Sequence, residues 1–270
     1  MIKKHILLAS LALLSLYSCK KNEDEGQKIR EMTEVIPEND RAIQAYLKSH
    51  YCELDGEGKV VLGSMEGHSD KTSLWDSPKL KRKVIKVPDQ HGNYIENTMY
   101  YLLLREGSGE QATVADNSFV LYKVQSLGGK VYDDGSHFAQ RNWLDLLGAE
   151  ANAYRGGTVV GFREAVALLK ASASASLTEQ RDGSLVYPTD SGIGVFFMPS
   201  GLTYYTGTTS IPAYSPLLFE INLVKTKRYD HDGDGIPSIE EIQHHQDGTI
   251  TFPDCNGNNK VDYLDANPCS

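Results

Sequence analysis

The sequence predicts an α+β fold, an antiparallel β-sheet wrapped around one short helix, and three observations point to it. Between residues 117 and 227 most apolar residues fall in short strand-like runs, such as "SFVLYKVQS", "GVFFMPS" and "SPLLFEINLVKTK". One run, "GFREAVALLK", has helical spacing instead: Phe162, Val166, Leu168 and Leu169 make an apolar face, and Glu164 stands near the positive end. The order is several strands, one helix, then more strands, which favours an antiparallel sheet over a parallel one.

The bulk properties narrow the function. A chain of 270 residues accommodates one main domain with flanking segments. Its 27 basic and 36 acidic side chains leave a net charge of −9, which argues against a nucleic-acid partner, since that needs clustered cations. A 40% hydrophobic content and 15 tyrosines fit a folded, β-rich protein.

The first residues carry their own signal. "MIKKH" is basic and "ILLASLALLSLY" apolar, a run shorter than the ~20 residues a spanning helix needs, so it reads as an export signal. It ends in "LYSC", with Leu16 three residues before Cys19 and no Ala-x-Ala cleavage site. This resembles the bacterial lipobox. The resemblance implies removal of residues 1–18 and lipidation of Cys19, with the mature protein anchored in a membrane of the bacterial cell envelope. The acidic residues in "CKKNEDE" are similar to surface-export signals of some lipoproteins, so an outer-membrane location, periplasmic or surface-facing, is expected. Exported proteins can keep disulfides. Cys255 and Cys269 bracket a loop-rich tail and are the expected pair, which leaves Cys52 as a small buried thiol.

Taken in chain order, residues 19–37 read as a polar tether, and residues 38–97 as a helical and irregular segment. Its helix is expected to be capped by Asn39 or Asp40, with Ala42, Ile43, Tyr46 and Leu47 at helical spacing. Residues 52–83 show no clear element; "KVIKV" and "TMYYLLLREG" look like strands. The main domain is expected over 98–228, with insertions at about 136–157 and 171–192, followed by an acidic tail over 229–270.

No nucleophile elbow, P-loop or HExxH motif is present, and the adjacent His244 and His245 read as solvated side chains. The informative signal is an ordered series: "YKVQSLGGKVYDDG", "TVVGFREAVALL", "FFMPSGLTYY" and "SIPAYSPLLFEINLVK". Together these resemble the FKBP-type peptidyl-prolyl cis-trans isomerases, over about Tyr100 to Lys227. In that family a strand Tyr precedes an aromatic-Asp pair, and a Val-Ile-x-Gly-Trp segment then opens the helix. An Ile-Pro-Ser-x-Leu-x-Tyr segment leads into a loop, and Ile-Pro with Leu-Val-Phe-Glu closes the domain.

The resemblance implies an FKBP-like sheet around one helix and an apolar bowl that binds prolyl substrates. Tyr122 matches the strand Tyr, Tyr132 and Asp133 the aromatic-Asp pair, and Thr158 and Val159 the Val-Ile pair. Phe162 stands where the family has Trp, Tyr204 is the loop Tyr, Ile211 belongs to Ile-Pro, and Phe219 to the last strand. Tyr205 replaces a loop Gly, and Phe138 and Trp143 are candidates for further pocket aromatics. The implied activity is isomerisation of X-Pro bonds in exported polypeptide clients. It needs no cofactor, because the amide only has to be twisted. A non-catalytic chaperone or peptide-binding surface lipoprotein is the alternative.

The tail suggests calcium. In "DHDGDGIPSIEE", Asp230, Asp232, Asp234, the Ile236 carbonyl and Glu241 occupy positions 1, 3, 5, 7 and 12 of an EF-hand-like loop, with Gly235 at the sharp turn. The string also resembles thrombospondin type 3 repeats. A weaker copy, "DCNGNNKVDYLD", offers Asp254, Asn256, Asn258 and Asp265 at the same offsets with less charge. The expected role is structural, because the flanking helices are weak.

Overall fold

The computed structural model describes residues 28–135, 143–149, 157–174, 178–179 and 185–267. The export signal, Cys19, Phe138 and Cys269 lie outside them.

The first element is the helix α1, Met32–Ser49. It starts before the Asn39 or Asp40 cap that the sequence suggested, so residues 32–37 are helical and not tether. Pro37 sits inside it. A proline there removes one backbone hydrogen bond and costs ~3 kcal/mol, and it disguised the helix in the sequence. The burial of Met32, Val35, Ile36, Ile43 and Leu47 offsets that cost. Next come β1 (His50–Leu54) and β2 (Val60–Ser64), an antiparallel hairpin in a stretch expected to have no element. Nearly every residue in it is half-buried, so it lacks the alternation that marks a strand.

The main sheet is built from β3 (Leu80–Pro88), β4 (Tyr94–Arg105), β5 (Asn117–Ser126), β6 (Val131–Asp134) and β7 (Trp143–Asp145). The helix α2 (Val160–Val166) and a small hairpin, β8 (Thr178–Glu179) with β9 (Leu185–Val186), follow before β10 (Gly192–Met198) and β11 (Leu217–Lys227) complete it. The order is β3-β4-β10-β11-β5-β6, with β7 also on β5, and every pairing is antiparallel. The protein is thus α+β. The helix ends at Val166, sooner than its pattern suggested, although Leu169 remains buried.

The period of two along each strand separates two cores. On one face, Met99 and Tyr101 of β4, Val120 and Val124 of β5, Phe196 and Met198 of β10, and Phe219, Ile221 and Leu223 of β11 pack against α2. Gly161 lets α2 approach: a Cβ there would lie 2.6 Å from the Met198 sulfur. On the other face, Tyr100, Leu102, Val195, Phe197 and Leu218 pack with Ile43 and Leu47 of α1 and with the β1–β2 hairpin. The helix α1 therefore reaches both cores, because Met32 and Ile36 belong to the first.

The tail is docked. After β11 come β12 (Gln243–His244) and β13 (Ile250–Thr251). Ile242 and the fully buried Tyr263 pack on Val114, Ala115 and Leu147 of the main domain, and the Tyr263 hydroxyl donates to the Gly148 carbonyl at 3.2 Å.

Candidate functional site

The residues matched in the sequence stand on one face of the sheet. Phe162, Ile211 and Phe219 lie in the core beside α2, and Tyr122, Tyr132, Val159 and Tyr204 are partly buried against it. The Phe162 ring is the hub. It meets Tyr122 edge-on at 5.6 Å and Phe219 edge-on at 6.0 Å. Both contacts have the T-shaped geometry that aromatic pairs favour, so Phe162 is held at the centre of an aromatic cluster.

Asp133 is exposed at the rim, where its Oδ2 accepts the Tyr122 hydroxyl at 2.9 Å. Adjacent residues of a regular strand point to opposite faces, so Tyr132 and Asp133 should not both reach the bowl. A bulge resolves this. Val124 pairs with Asp133 and Gln125 with Val131, which leaves Tyr132 as the extra residue of β6. Gly135 then lies flat on Tyr122: a Cβ there would be 2.7 Å from that ring. The Tyr204 hydroxyl is pushed above its usual pKa by burial and then by the Asp133 charge, so it stays a proton donor at neutral pH.

Val159 precedes α2 in an extended conformation, and its carbonyl accepts from the Phe162 and Arg163 amides. Among the described residues its own N–H is donated to no backbone group. Thr158 differs from expectation. Its N–H and Oγ1 both bond the Leu146 carbonyl, so it pins the chain ahead of Val159. Trp143 is also not a pocket aromatic: it packs edge-on against Phe119, which belongs to a separate cluster with Leu121 and Val224.

Tyr205 has a partner that the sequence did not suggest. Its hydroxyl donates to the Arg30 carbonyl at 2.8 Å, and its ring meets Tyr214 edge-on at 5.1 Å. Sequence reasoning missed Tyr214 and Arg30 and took Asn39 for a helix cap. Asn39 had a signal, since it interrupts the apolar stripe of Met32, Ile36, Ile43 and Leu47 yet is only 4% exposed.

A cleft of about 410 Å³ on the opposite face, between Lys59, Lys123, Glu220 and Asn222, is chemically satisfied. Its Glu220 is bonded by Lys123 at 2.6 Å and by Gln125 at 3.0 Å. The free thiol of Cys52 is pushed up to about 12, mainly by burial and then by Glu220 and Glu53, so it is a poor nucleophile. Cys255 is disulfide-bonded.

The acidic loop is a separate site. Asp230, Asp232 and Asp234 each place one carboxylate oxygen within 4.8 Å of the others. Gly233 and Gly235, at φ of 80° and 98°, let the chain turn so that their amides reach Asp230 at 2.7 and 2.9 Å. Asp232 Oδ2 and both Glu241 carboxylate oxygens are buried without a hydrogen-bond partner. Burial, then Asp232, Asp234 and Asp230, push Glu241 up to about 7. Such a cluster is costly unless a cation neutralises it. Hard oxygens in this number fit calcium. His231, between Asp230 and Asp232, points away, with Nδ1 2.8 Å from Ser238 Oγ and Nε2 3.1 Å from Asp145 of β7.

The second loop is built differently. Asp265 Oδ2 accepts the side-chain amides of Asn256 at 2.9 Å and Asn258 at 2.8 Å, and Asp254 accepts the backbone amides of Asn258 and Asn259. Its carboxylates are satisfied by the chain itself. His244 and His245 are exposed, and His245 bonds Thr251.

No family model and no curated protein matches the chain. Among solved structures it is similar to FkpA of Escherichia coli at 18% identity and a TM-score of 0.32, over 53% of this chain and 51% of that one. It is similar to a peptidyl-prolyl cis-trans isomerase of Pseudomonas syringae at 14% identity and a TM-score of 0.38, over 74% of this chain and 99% of that one. A multi-domain immunophilin of Arabidopsis thaliana matches at 16% identity and a TM-score of 0.37, over 62% of this chain and 55% of that one. The chain thus spans less than two thirds of FkpA and of the immunophilin.

Proposed function

We propose that this protein is a peptidyl-prolyl cis-trans isomerase of the FKBP type, acting on exported polypeptides from a lipid anchor at Cys19. The observation that carries the reading is that Tyr122 and Phe219 both meet the Phe162 ring, in one apolar cluster with Tyr132, Ile211 and Tyr204, with Asp133 bonded to Tyr122 at the rim. Those residues come from four separate segments that the sequence had singled out by family resemblance.

The reaction asks little of the side chains. Rotation about X-Pro takes tens of seconds unaided because amide resonance must be lost. A planar amide is more polar than a twisted one, so a dry bowl favours the twisted form. Phe162, Tyr132 and Phe219 hold the prolyl ring, the Val159 N–H takes the substrate carbonyl, and Tyr204 offers a hydroxyl. Asp133 orients Tyr122 and is not assigned as a base. No proton leaves the substrate, so the absence of a nucleophile motif is consistent with this activity.

The tail is assigned as a calcium-stabilised support. Asp230, Asp232, Asp234, the Ile236 carbonyl and Glu241 hold the ion; Asp254, Asn256, Asn258 and Asp265 form at most a weaker second site. Calcium takes no part in the chemistry. The partners are proline-containing polypeptides at the cell envelope, and no nucleic acid is among them.

The competing reading, a peptide-binding chaperone without catalysis, draws on the loop at Tyr205, which is tied to Arg30. Soluble protein lacking residues 1–19 decides between the two. Acceleration of cis-trans exchange in prolyl peptides is expected. Peptide binding without acceleration would favour the chaperone, and neither effect in a folded sample would remove both.

A further inference from the structure

The loop that carries Tyr204 and Ile211 runs from the end of β10 to the start of β11, and both of its ends are held by one side chain. Asn39 of α1 accepts the Ser200 N–H on Oδ1 at 2.7 Å and donates from Nδ2 to the Tyr214 carbonyl at 2.8 Å. The donor–acceptor fork of an amide satisfies both groups at once. An apolar side chain would leave a buried N–H and C=O unpaired.

The rest of the N-terminal segment acts on the same place. Tyr214 is a non-glycine residue with φ of 64°, a conformation that needs outside support. Its hydroxyl accepts the Arg30 N–H at 3.1 Å, its ring lies under the Arg30 guanidinium at 5.6 Å, and its N–H donates to the Tyr205 carbonyl. Arg30 is in turn fixed by two hydrogen bonds to Glu38, of 2.9 and 2.8 Å. Inside the loop, Gly207 bonds Tyr204 and Thr208 bonds Ile211, so the loop behaves as one piece between its two anchors.

We infer that α1 is a working part of the site and that Asn39 is its positioning residue: it sets the loop that presents Tyr204 and Ile211 to the substrate. This rests on the isomerase reading for the identity of the substrate, but not for the coupling between helix and loop. The isomerase domain alone, over 98–228, is then incomplete.

The experiment compares the full chain in detergent as wild type, Asn39→Ala, Tyr205→Phe and Ile43→Val. Ile43 lies four residues further along the same helix, fully buried in the opposite core, and controls for loosened helix packing. Asn39→Ala is expected to lower kcat/KM on prolyl tetrapeptides about tenfold, the scale of one or two lost hydrogen bonds. Amide hydrogen exchange over residues 203–213 should quicken by a similar factor while β10 and β11 stay protected. Tyr205→Phe, the milder variant should Asn39→Ala fail to fold, is expected to shift both readouts in the same direction by less. Ile43→Val should leave both at the wild-type level.

Loop exchange and kcat/KM unchanged in Asn39→Ala, or an equal loss in Ile43→Val, would overturn the inference. A wild-type chain without isomerase activity would defeat the functional reading only, and the loop exchange of Asn39→Ala would then decide the positioning role by itself.

Discussion

The aromatic bowl and the acidic loop are built in opposite ways. The bowl collects residues scattered from Tyr122 to Phe219, nearly all of them apolar or hydroxylated, and its rim carboxylate, Asp133, accepts the Tyr122 hydroxyl. The loop takes its candidate ligands from twelve consecutive residues, and three of its carboxylate oxygens are buried without a partner. The bowl buries mainly apolar surface, whereas the loop buries carboxylate oxygens at a cost that a bound cation would offset. The second loop shows how little separates the two states. Where Asp232 and Asp234 are replaced by Asn256 and Asn258, the amides bond Asp265 and the charge is answered from within.

Four perturbations break or sharpen this contrast. The largest effect is expected from Phe162→Ala, which removes the hub of the bowl and about 3–5 kcal/mol of stability, measurable by denaturant unfolding. Activity should disappear with it, and the tail's calcium affinity in the remaining folded protein should not change. Chelation comes next. A site filled at about 100 times its Kd contributes about 2.7 kcal/mol, so a chelator should lower the melting temperature while kcat/KM of the folded protein holds. A fall of kcat/KM in step with chelation would join the two regions into one unit, through His231, Asp145 and the Thr158 anchor.

Glu241→Gln is a smaller change with a sign that depends on conditions. It relieves repulsion without calcium and removes a ligand with it, so the melting temperature should rise slightly in chelator and fall in calcium. A fall under both conditions would mean that Glu241 is not part of a cation site. The smallest effect belongs to Tyr122→Phe. It loses one rim hydrogen bond to Asp133, worth about 1 kcal/mol, and should cost a few-fold in kcat/KM with little loss of fold.

Legibility in the sequence followed locality. The acidic loop could be read because its ligand spacing and glycines are contiguous. Strands β4, β5, β10 and β11 could be read because their apolar runs are long, and the family resemblance placed Tyr122, Phe162 and Phe219 in order. Other features were hidden for physical reasons. The bulge at Tyr132, which turns two neighbouring residues to one face, leaves no trace in an alternation pattern. Pro37 masked the first turns of α1, so residues 32–37 read as tether and Asn39 as a cap, when it is a buried interior residue. The β1–β2 hairpin escaped because its residues are half-buried on both sides and so do not alternate. Trp143, a candidate pocket aromatic in the sequence, could not be placed because the strand that carries it, β7, is only three residues long.

On the proposed function, an apolar bowl with rim hydroxyls suffices to turn an X-Pro bond. The most direct measurement is exchange spectroscopy on a prolyl peptide, with the full chain in detergent at catalytic concentration. Spontaneous exchange takes tens of seconds. Exchange is expected to be much faster with the wild-type protein, slowed a few-fold by Tyr122→Phe, and unchanged by chelator. Exchange at the spontaneous rate, in a sample whose β10 and β11 amides remain protected, would contradict it.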